Sequence, residues 1–294
     1  MVKNQRLFAG TVHLFFVVVC LLMIIPFLLI ISISLSNEGS LIQHGYKLIP
    51  EQLDLSAYRF IFKVPQIILR AYGVTAIVTA AGTVTSLLLS SLTAYVISRR
   101  DYAYRSITTF YIFFTMLFSG GLVPYYILMT QTLGLKNTIG ALILPGLLNV
   151  WNIMLLKAFL GKIPVEIIES AKMDGAREWG IFFRIVIPLS LPALATIGLI
   201  ISFAYWNEWF NALLFIDNQN MVPLQLLLIR MLNSMEVLKL NLFQLGIPNL
   251  DLNSLPTMSA RMSMVIIAAG PMLFIFPFFQ RYFVQGLTVG SLKG

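Results

Sequence analysis

Charge is the scarcest ingredient of this sequence. Only 11% of its 294 residues are Asp, Glu, Lys or Arg, against about a quarter in soluble domains. Hydrophobic residues make up 58%, and the mean hydropathy is +0.86. A soluble fold is thereby excluded in favour of a polytopic membrane protein. Cysteine and histidine are nearly missing. The single Cys20 lies inside the first apolar run, so neither a disulfide nor a Cys-based metal site can be built within the chain. His13 and His44 are far apart and carry no metal-ligand spacing around them. There is no Gly-rich Walker pattern ending in Lys-Ser or Lys-Thr, so ATP is not used by that route. No nucleophile elbow is present either, and no cluster of titratable groups marks one membrane face as that of an enzyme. The expectation is a chain without catalytic, cofactor-binding or metal residues.

What is present is a series of long apolar runs. Those at about 13–35, 70–98, 107–130, 138–160, 189–214 and 263–284 each meet the roughly 20 residues that a helix needs to cross a 30 Å hydrocarbon core. The predicted fold is an all-α integral membrane protein with six transmembrane helices, forming one domain over residues 1–294. The first run is too long for a signal-peptide core and reads as a retained anchor. Pro223–Leu232 is apolar but about half the necessary length, which predicts a buried or re-entrant piece of an external loop.

Orientation follows from the cations. With both termini on one side, twelve of the 20 Lys and Arg residues share that side, in loops shorter than the outer ones at about 36–69 and 215–262: Arg99, Arg100, Arg105, Lys162, Lys172, Arg177 and Arg184 among them. The positive-inside rule puts both termini and residues 161–188 in the cytoplasm. Most of the +8 net charge then sits on that face, and it needs no nucleic-acid partner to explain it.

The longest inner loop has its own pattern. Pro164 suits a helix start, Glu166 and Glu169 suit its positive end, and Glu169 to Lys172 is an i,i+3 pair. Asp174-Gly175 is a turn signal with a residue free to take positive φ. Trp179, Phe182, Phe183, Val186 and Ile187 follow at i, i+3, i+4, i+7, i+8, and Pro188 is expected to end this second helix. The loop is predicted to be two short helices at an angle, and on periodicity alone an interfacial amphipathic hairpin joining two spans fits equally well.

Polar residues inside spans are costly unless they are paired or face a wet cavity, so they locate the interior of the bundle. Asn149 and Asn152 are expected on one face of the fourth helix. On the fifth, Asn207 and Asn211 fall at i,i+4 and Glu208 and Asn211 at i,i+3, flanked by Trp206 and Trp209. Aromatic rings that stack on sugar faces, beside amides and a carboxylate that bind hydroxyls, suit a weak translocation surface. The alternative reading is an aromatic-belt anchor with Glu208 reaching headgroup water. Ser119-Gly120-Gly121 followed by Pro124 predicts an interruption of the third helix.

The run Glu169-Ser170-Ala171, three residues, Gly175, nine residues, Ile185, two residues, Pro188-Leu189 resembles the EAA coupling loop of bacterial ATP-binding-cassette (ABC) importers, with Ser170 where that family usually has Ala. Stretches 118–128, 133–146, 206–215, 223–232 and 286–294 are similar to carbohydrate-uptake permeases of the maltose type, and most of all to the branch that imports complex or uronic-acid-containing oligosaccharides. The resemblance implies that Glu169, Ser170, Ala171, Asp174, Gly175, Ala176, Ile185 and Pro188 dock on an ATPase, and that Ser291 and Lys293 in the tail reach it too. It also implies a homologous second permease, two ATPase subunits holding ATP and Mg, an extracytoplasmic solute-binding protein, a sugar substrate and a place in the bacterial cytoplasmic membrane. A self-sufficient ion-coupled secondary transporter or channel is the competing function. That function would place buried ionisable residues in several spans, where only Glu208 qualifies.

Overall fold

The computed structural model describes residues 2–244 and 257–288. Among them, three helices are long and apolar enough to cross a membrane. They are Gly10–Ser34 within α1 (Val2–Ser34), α4 (Pro65–Ser98), and Met258–Phe278 within α15 (Met258–Thr288). Three further pairs pass the same test only jointly, because each is bent: Arg105–Leu117 with Leu122–Thr132 by 109°, Gly140–Gly146 with Val150–Leu160 by 49°, and Glu178–Leu189 with Leu191–Trp206 by 83°.

Each bend has a local cause. After α5 (Arg105–Leu117), Phe118 turns extended and Gly121 takes φ +87°, a conformation that disfavours any side chain. The chain then restarts as α6 (Leu122–Ile127), continued by a π-helical turn over Leu128–Thr132. The expected 107–130 span is therefore broken at Ser119–Gly121. The second bend falls after α7 (Gly140–Ile143), at a 3₁₀ turn holding Pro145 before α8 (Val150–Leu160). At the third, Ser190 lies between Pro188 and Pro192 ahead of α12 (Leu191–Trp206).

The expected 189–214 helix is also divided. α12 stops at Trp206, and α13 (Phe210–Phe215) begins after a three-residue break. Residues 223–232 are likewise not a short loop piece. They begin α14 (Leu224–Gln244), whose first-turn amide Leu224 N–H donates to Thr75 Oγ1 at 2.8 Å while Leu224 and Leu226 are fully buried.

The chain divides into two compact units, Met1–Ile68 with Leu228–Pro271, and Leu69–Leu227 with Met272–Gly294. In the first, α2 (Glu38–His44) and α3 (Ser56–Ile61) follow α1. Glu38, 5% exposed, caps the start of α15. Its carboxylate accepts from Thr257 Oγ1 (2.7 Å), Met258 N (2.9 Å), Ser259 N (3.0 Å) and Ser259 Oγ (2.8 Å). The amides of a helix start have no intrahelical acceptors, and its positive end favours an anion. Burial pushes the Glu38 carboxyl up, but these four donors outweigh burial and hold it below the usual glutamate value.

In the second unit the core runs from Val78, Tyr95 and Ile97 of α4, through Ile153 and Leu156 of α8, to Ile197 and Ile201 of α12. Tyr205 occupies a slot walled by glycines. A β-carbon on Gly82 would lie 2.7 Å from its ring, and one on Gly146 would lie 2.9 Å from its hydroxyl. Tyr205 Oη donates to the Ile143 carbonyl at 2.9 Å. Small residues let the helix backbones approach closely here, as they do in membrane bundles.

Candidate functional site: a clamped helical hairpin and a polar helix break

The hairpin is built from α9 (Val165–Met173) and the helix Glu178–Leu189, which comprises α10 (Glu178–Ile181), a π-helical turn over Phe182–Val186 and α11 (Ile187–Leu189). They meet at Asp174-Gly175, where Gly175 takes φ +80°. Ala176 N–H donates back to the Ala171 carbonyl at 2.9 Å, closing the end of α9. The second helix ends beside Pro188, as expected. The helix runs to Leu189, and the π-helical turn precedes the proline that cannot donate.

The π-helical turn also splits the predicted apolar stripe. Ile181, Phe182 and Val186 are buried, whereas Trp179 and Phe183 are exposed and stack on each other, 6.0 Å between centroids at 14°. On α9, Ile168 and Ala171 turn inward, with Ala176 and Ile185 packed against the same core. Glu169, Ser170, Asp174 and Gly175 face outward beside Met173, which is 83% exposed. Thus the residues expected to dock divide by position: Ala171, Ala176 and Ile185 pack toward the core, and Glu169, Ser170, Asp174 and Gly175 form the free edge of the hairpin.

A cluster of charges fixes this hairpin to the end of α4. Lys172 Nζ lies 2.9 Å from Glu178 Oε1 and 3.0 Å from Asp101 Oδ2. Arg99, just past α4, pairs with Asp101, donating from Nε to Oδ1 at 2.8 Å, and its Nη1 lies 3.6 Å from Glu178 Oε2. Tyr95 Oη donates to Glu178 Oε2 at 3.0 Å and accepts from Arg99 Nη1 at 2.9 Å. The hydrogen bond from Arg99 holds the Asp101 carboxyl well below the usual aspartate value. Lys172 does the same for Glu178, and both carboxylates hold the Lys172 ammonium above the ordinary lysine value. Sequence reasoning paired Lys172 with Glu169 and missed Arg99, Asp101 and Glu178. The available signal was the short charged loop 99–105 on the same predicted side.

The polar residues expected on helix faces lie instead at helix ends. Asn149 caps α8, accepting from Asn152 N–H at 3.3 Å, while Asn152 is buried within the helix. They do not form one helical face, because Asn149 is extended (φ −94°, ψ 120°). Asn207, Glu208 and Trp209 occupy the break after α12. Asn207 Nδ2 donates to the Phe203 carbonyl at 2.9 Å, and its Oδ1 accepts from Gln225 Nε2 at 3.1 Å. Glu208 Oε1 accepts the Asn211 N–H at 2.7 Å, in the first turn of α13.

Asn211 Oδ1 in turn accepts from Tyr125 Oη at 2.7 Å, which links the restart of the fifth run to α6. Trp206 is buried near Tyr72, whereas Trp209 is 41% exposed. A cavity of about 630 Å³ adjoins this link, lined by Ser119, Gly120, Gly121, Pro124, Tyr125 and Phe210 among others. The two glycine-broken or polar-broken runs therefore meet: Tyr125 and Phe210 face one space. Ser291 and Lys293 lie outside the described residues.

Among the described residues, no group of three or more His, Cys, Asp or Glu side chains could hold a metal ion.

The chain is 38% identical over 291 residues to the "Polygalacturonan/rhamnogalacturonan transport system permease protein YtcP" of Bacillus subtilis (strain 168), covering 99% of this chain and 100% of the relative. It is 36% identical over 273 residues to "Protein LplC" of the same organism, covering 92% and 90%. A crystal structure of "a bacterial ABC transporter involved in the import of the acidic polysaccharide alginate" superposes with a TM-score of 0.78 at 27% identity, covering 95% of this chain and 98% of that one. The YtcP relative is named a permease and the alginate structure an ABC transporter, and these likenesses favour a non-catalytic ABC permease subunit over ion-coupled secondary transport. The model of the "Binding-protein-dependent transport system inner membrane component" matches residues 86–289, hairpin and polar break included, and the chain belongs to that family.

Proposed function

We propose that the chain forms half of the translocation path of an ATP-driven importer for oligosaccharides containing uronic acids. It works beside a homologous permease, two ATPase subunits that hold ATP and Mg, and an extracytoplasmic solute-binding protein. The observation that carries the coupling role is the hairpin itself, with Glu169, Ser170, Asp174 and Gly175 on a free edge while Ile168, Ala171, Phe182 and the Lys172 cluster tie it to the membrane helices. A body held this firmly transmits a push from an ATPase to α4 rather than yielding to it.

In this reading the bent pairs Arg105–Thr132 and Gly140–Leu160 each contribute one crossing and Leu191–Trp206 begins the fifth, giving six in a single domain of residues 1–294 with both termini cytoplasmic, and the 161–188 loop joins the fourth and fifth. The tail with Ser291 and Lys293 reaches the ATPases. Tyr125, Phe210, Trp209, Glu208 and Asn211 border the sugar path, offering a ring face and hydroxyl partners together. The substrate class rests on the relatives, which are named for polygalacturonan/rhamnogalacturonan and for alginate. The test is uptake by the assembled transporter in proteoliposomes. ATP-dependent entry of oligogalacturonides, not displaced by neutral maltooligosaccharides, is expected. Entry driven by an ion gradient without ATPases, or preference for the neutral sugars, overturns the corresponding half of the proposal.

A further inference from the structure

A second cavity, of about 560 Å³, lies between the start of α5 and the last turns of α8, on the side of the clamped hairpin. Arg105, Ser106, Thr109, Phe110, Phe113 and Lys157 line it, among others. Lys157 is half-buried, and its ammonium donates to Thr109 Oγ1 at 2.9 Å. Arg105 is close enough for the two charges to interact. Among the described residues neither cation has a carboxylate within ion-pair distance, in contrast to Arg99 and Lys172 of the neighbouring cluster. Two like charges lining one cavity at a membrane edge are costly without an anion.

The opposite part of the lining is apolar. Phe110 and Phe113 are exposed, and α5 buries none of its side chains in this chain. We infer that this cavity binds the phosphate headgroup of an anionic phospholipid, with Arg105 and Lys157 on the phosphate, Ser106 as a hydroxyl donor, and the acyl chains over Phe110 and Phe113; the Thr109 hydroxyl already donates to the Arg105 carbonyl at 2.6 Å and positions Lys157. Cations between helices at the cytoplasmic boundary are suited to such headgroups. A soluble anion would neutralise the charges but leave both phenylalanine faces uncovered. The inference rests on the proposed orientation, with α5 and α8 in the bilayer and the hairpin side cytoplasmic.

The test uses the complete importer in nanodiscs of phosphatidylcholine with or without phosphatidylglycerol, followed by native mass spectrometry of the lipids retained. Wild type is expected to keep phosphatidylglycerol selectively. Arg105→Gln with Lys157→Met should lower that retention roughly tenfold or more, from the removal of two basic contacts, and Lys157→Arg should preserve it. In wild type, phosphatidylglycerol should also shield Lys157 from acylation by an amine reagent, a reading independent of any variant's folding.

Equal lipid retention by the double variant overturns the site. Protection of Lys157 by inorganic phosphate in pure phosphatidylcholine discs would identify a soluble-anion site instead. Loss of a partner subunit from the double variant with unchanged lipid retention would identify a protein carboxylate as the counter-charge. Either result also overturns the lipid assignment. None of these arms depends on sugar uptake, so failure here is distinguishable from failure of the importer reading.

Discussion

Lys172 and Glu178 stand on opposite sides of the Gly175 turn with 2.9 Å between Nζ and Oε1. The pair closes the hairpin, and Asp101 extends it to the end of α4. Both Lys172 and Glu178 are substantially exposed, and such pairs contribute about 0–1 kcal/mol each. Lys172→Glu should therefore leave the fold intact while repelling Asp101 and Glu178 and loosening the hairpin. Reduced retention of the ATPase during purification is expected, with partial recovery on adding Glu178→Lys. Wild-type retention by the single variant would show that the clamp does not transmit motion.

The same cluster carries a pH signature. Asp101 and Glu178 are held below their ordinary values, so their contribution is complete above the usual carboxylate range and is lost as pH falls through that range and below. Lys172 is held above its ordinary value, so its contribution persists below the lysine range and fades as pH rises through the raised value. Coupling should be flat across neutral pH. Stepwise loss of ATPase stimulation between neutral and mildly acidic pH, abolished by Lys172→Ala, would contradict this assignment.

Gly175 has open space where a β-carbon would be, so its constraint is the backbone alone, at φ +80°. Gly175→Val should cost about 1–3 kcal/mol locally, whereas Gly175→Asn, which tolerates the left-handed region, should cost less. The expected order of ATPase co-purification is Gly, then Asn, then Val. Equal retention by all three would remove the turn from the coupling mechanism.

Glu38 joins a short helix to the start of α15 through four hydrogen bonds to one carboxylate. Glu38→Ala leaves buried donors unsatisfied, at a cost of about 1–3 kcal/mol, and Glu38→Gln should fall between. Because its carboxyl is held below the usual glutamate value, its contribution is present above the ordinary carboxylate range and lost as pH falls through it. Thermal unfolding in detergent should show the loss in Glu38→Ala, and the acid sensitivity of wild type should shrink in that variant.

The apolar runs and the Asp174-Gly175 turn were legible because length and glycine report local physics. The Ser119–Gly121 break was legible for the same reason. The break at 207–209 was not, since Asn-Glu-Trp contains no breaker. Its cause is side-chain competition with the helix: Asn207 bonds the Phe203 carbonyl and Glu208 takes the Asn211 amide. Nor could periodicity reveal the π-helical turn at Phe182–Val186, which moved Trp179 and Phe183 out of the buried stripe. The Gly82 slot for Tyr205 and the Arg99 to Glu178 contacts join residues far apart in sequence. Their partners are set by packing, which no local pattern carries.

Glu208 separates the two readings of the polar break. Its carboxylate has a structural duty toward the Asn211 amide, and Asn211 also holds Tyr125 beside the Ser119–Gly121 cavity. Glu208→Gln keeps an oxygen acceptor for that amide, so folding should survive while the charge is lost. If the break borders the sugar path, uptake should fall roughly 2- to 12-fold, the equivalent of one hydrogen bond of about 0.5–1.5 kcal/mol. Trp209→Ala removes an exposed ring that no described core residue depends on, and it should shift preference among sugars of different length. Asn211→Ala should be worse than either, because it frees Tyr125 as well. Unchanged uptake in Glu208→Gln and Trp209→Ala, with normal thermal stability, would leave these residues as helix caps and belt anchors, because a capping role needs only the acceptor that glutamine retains.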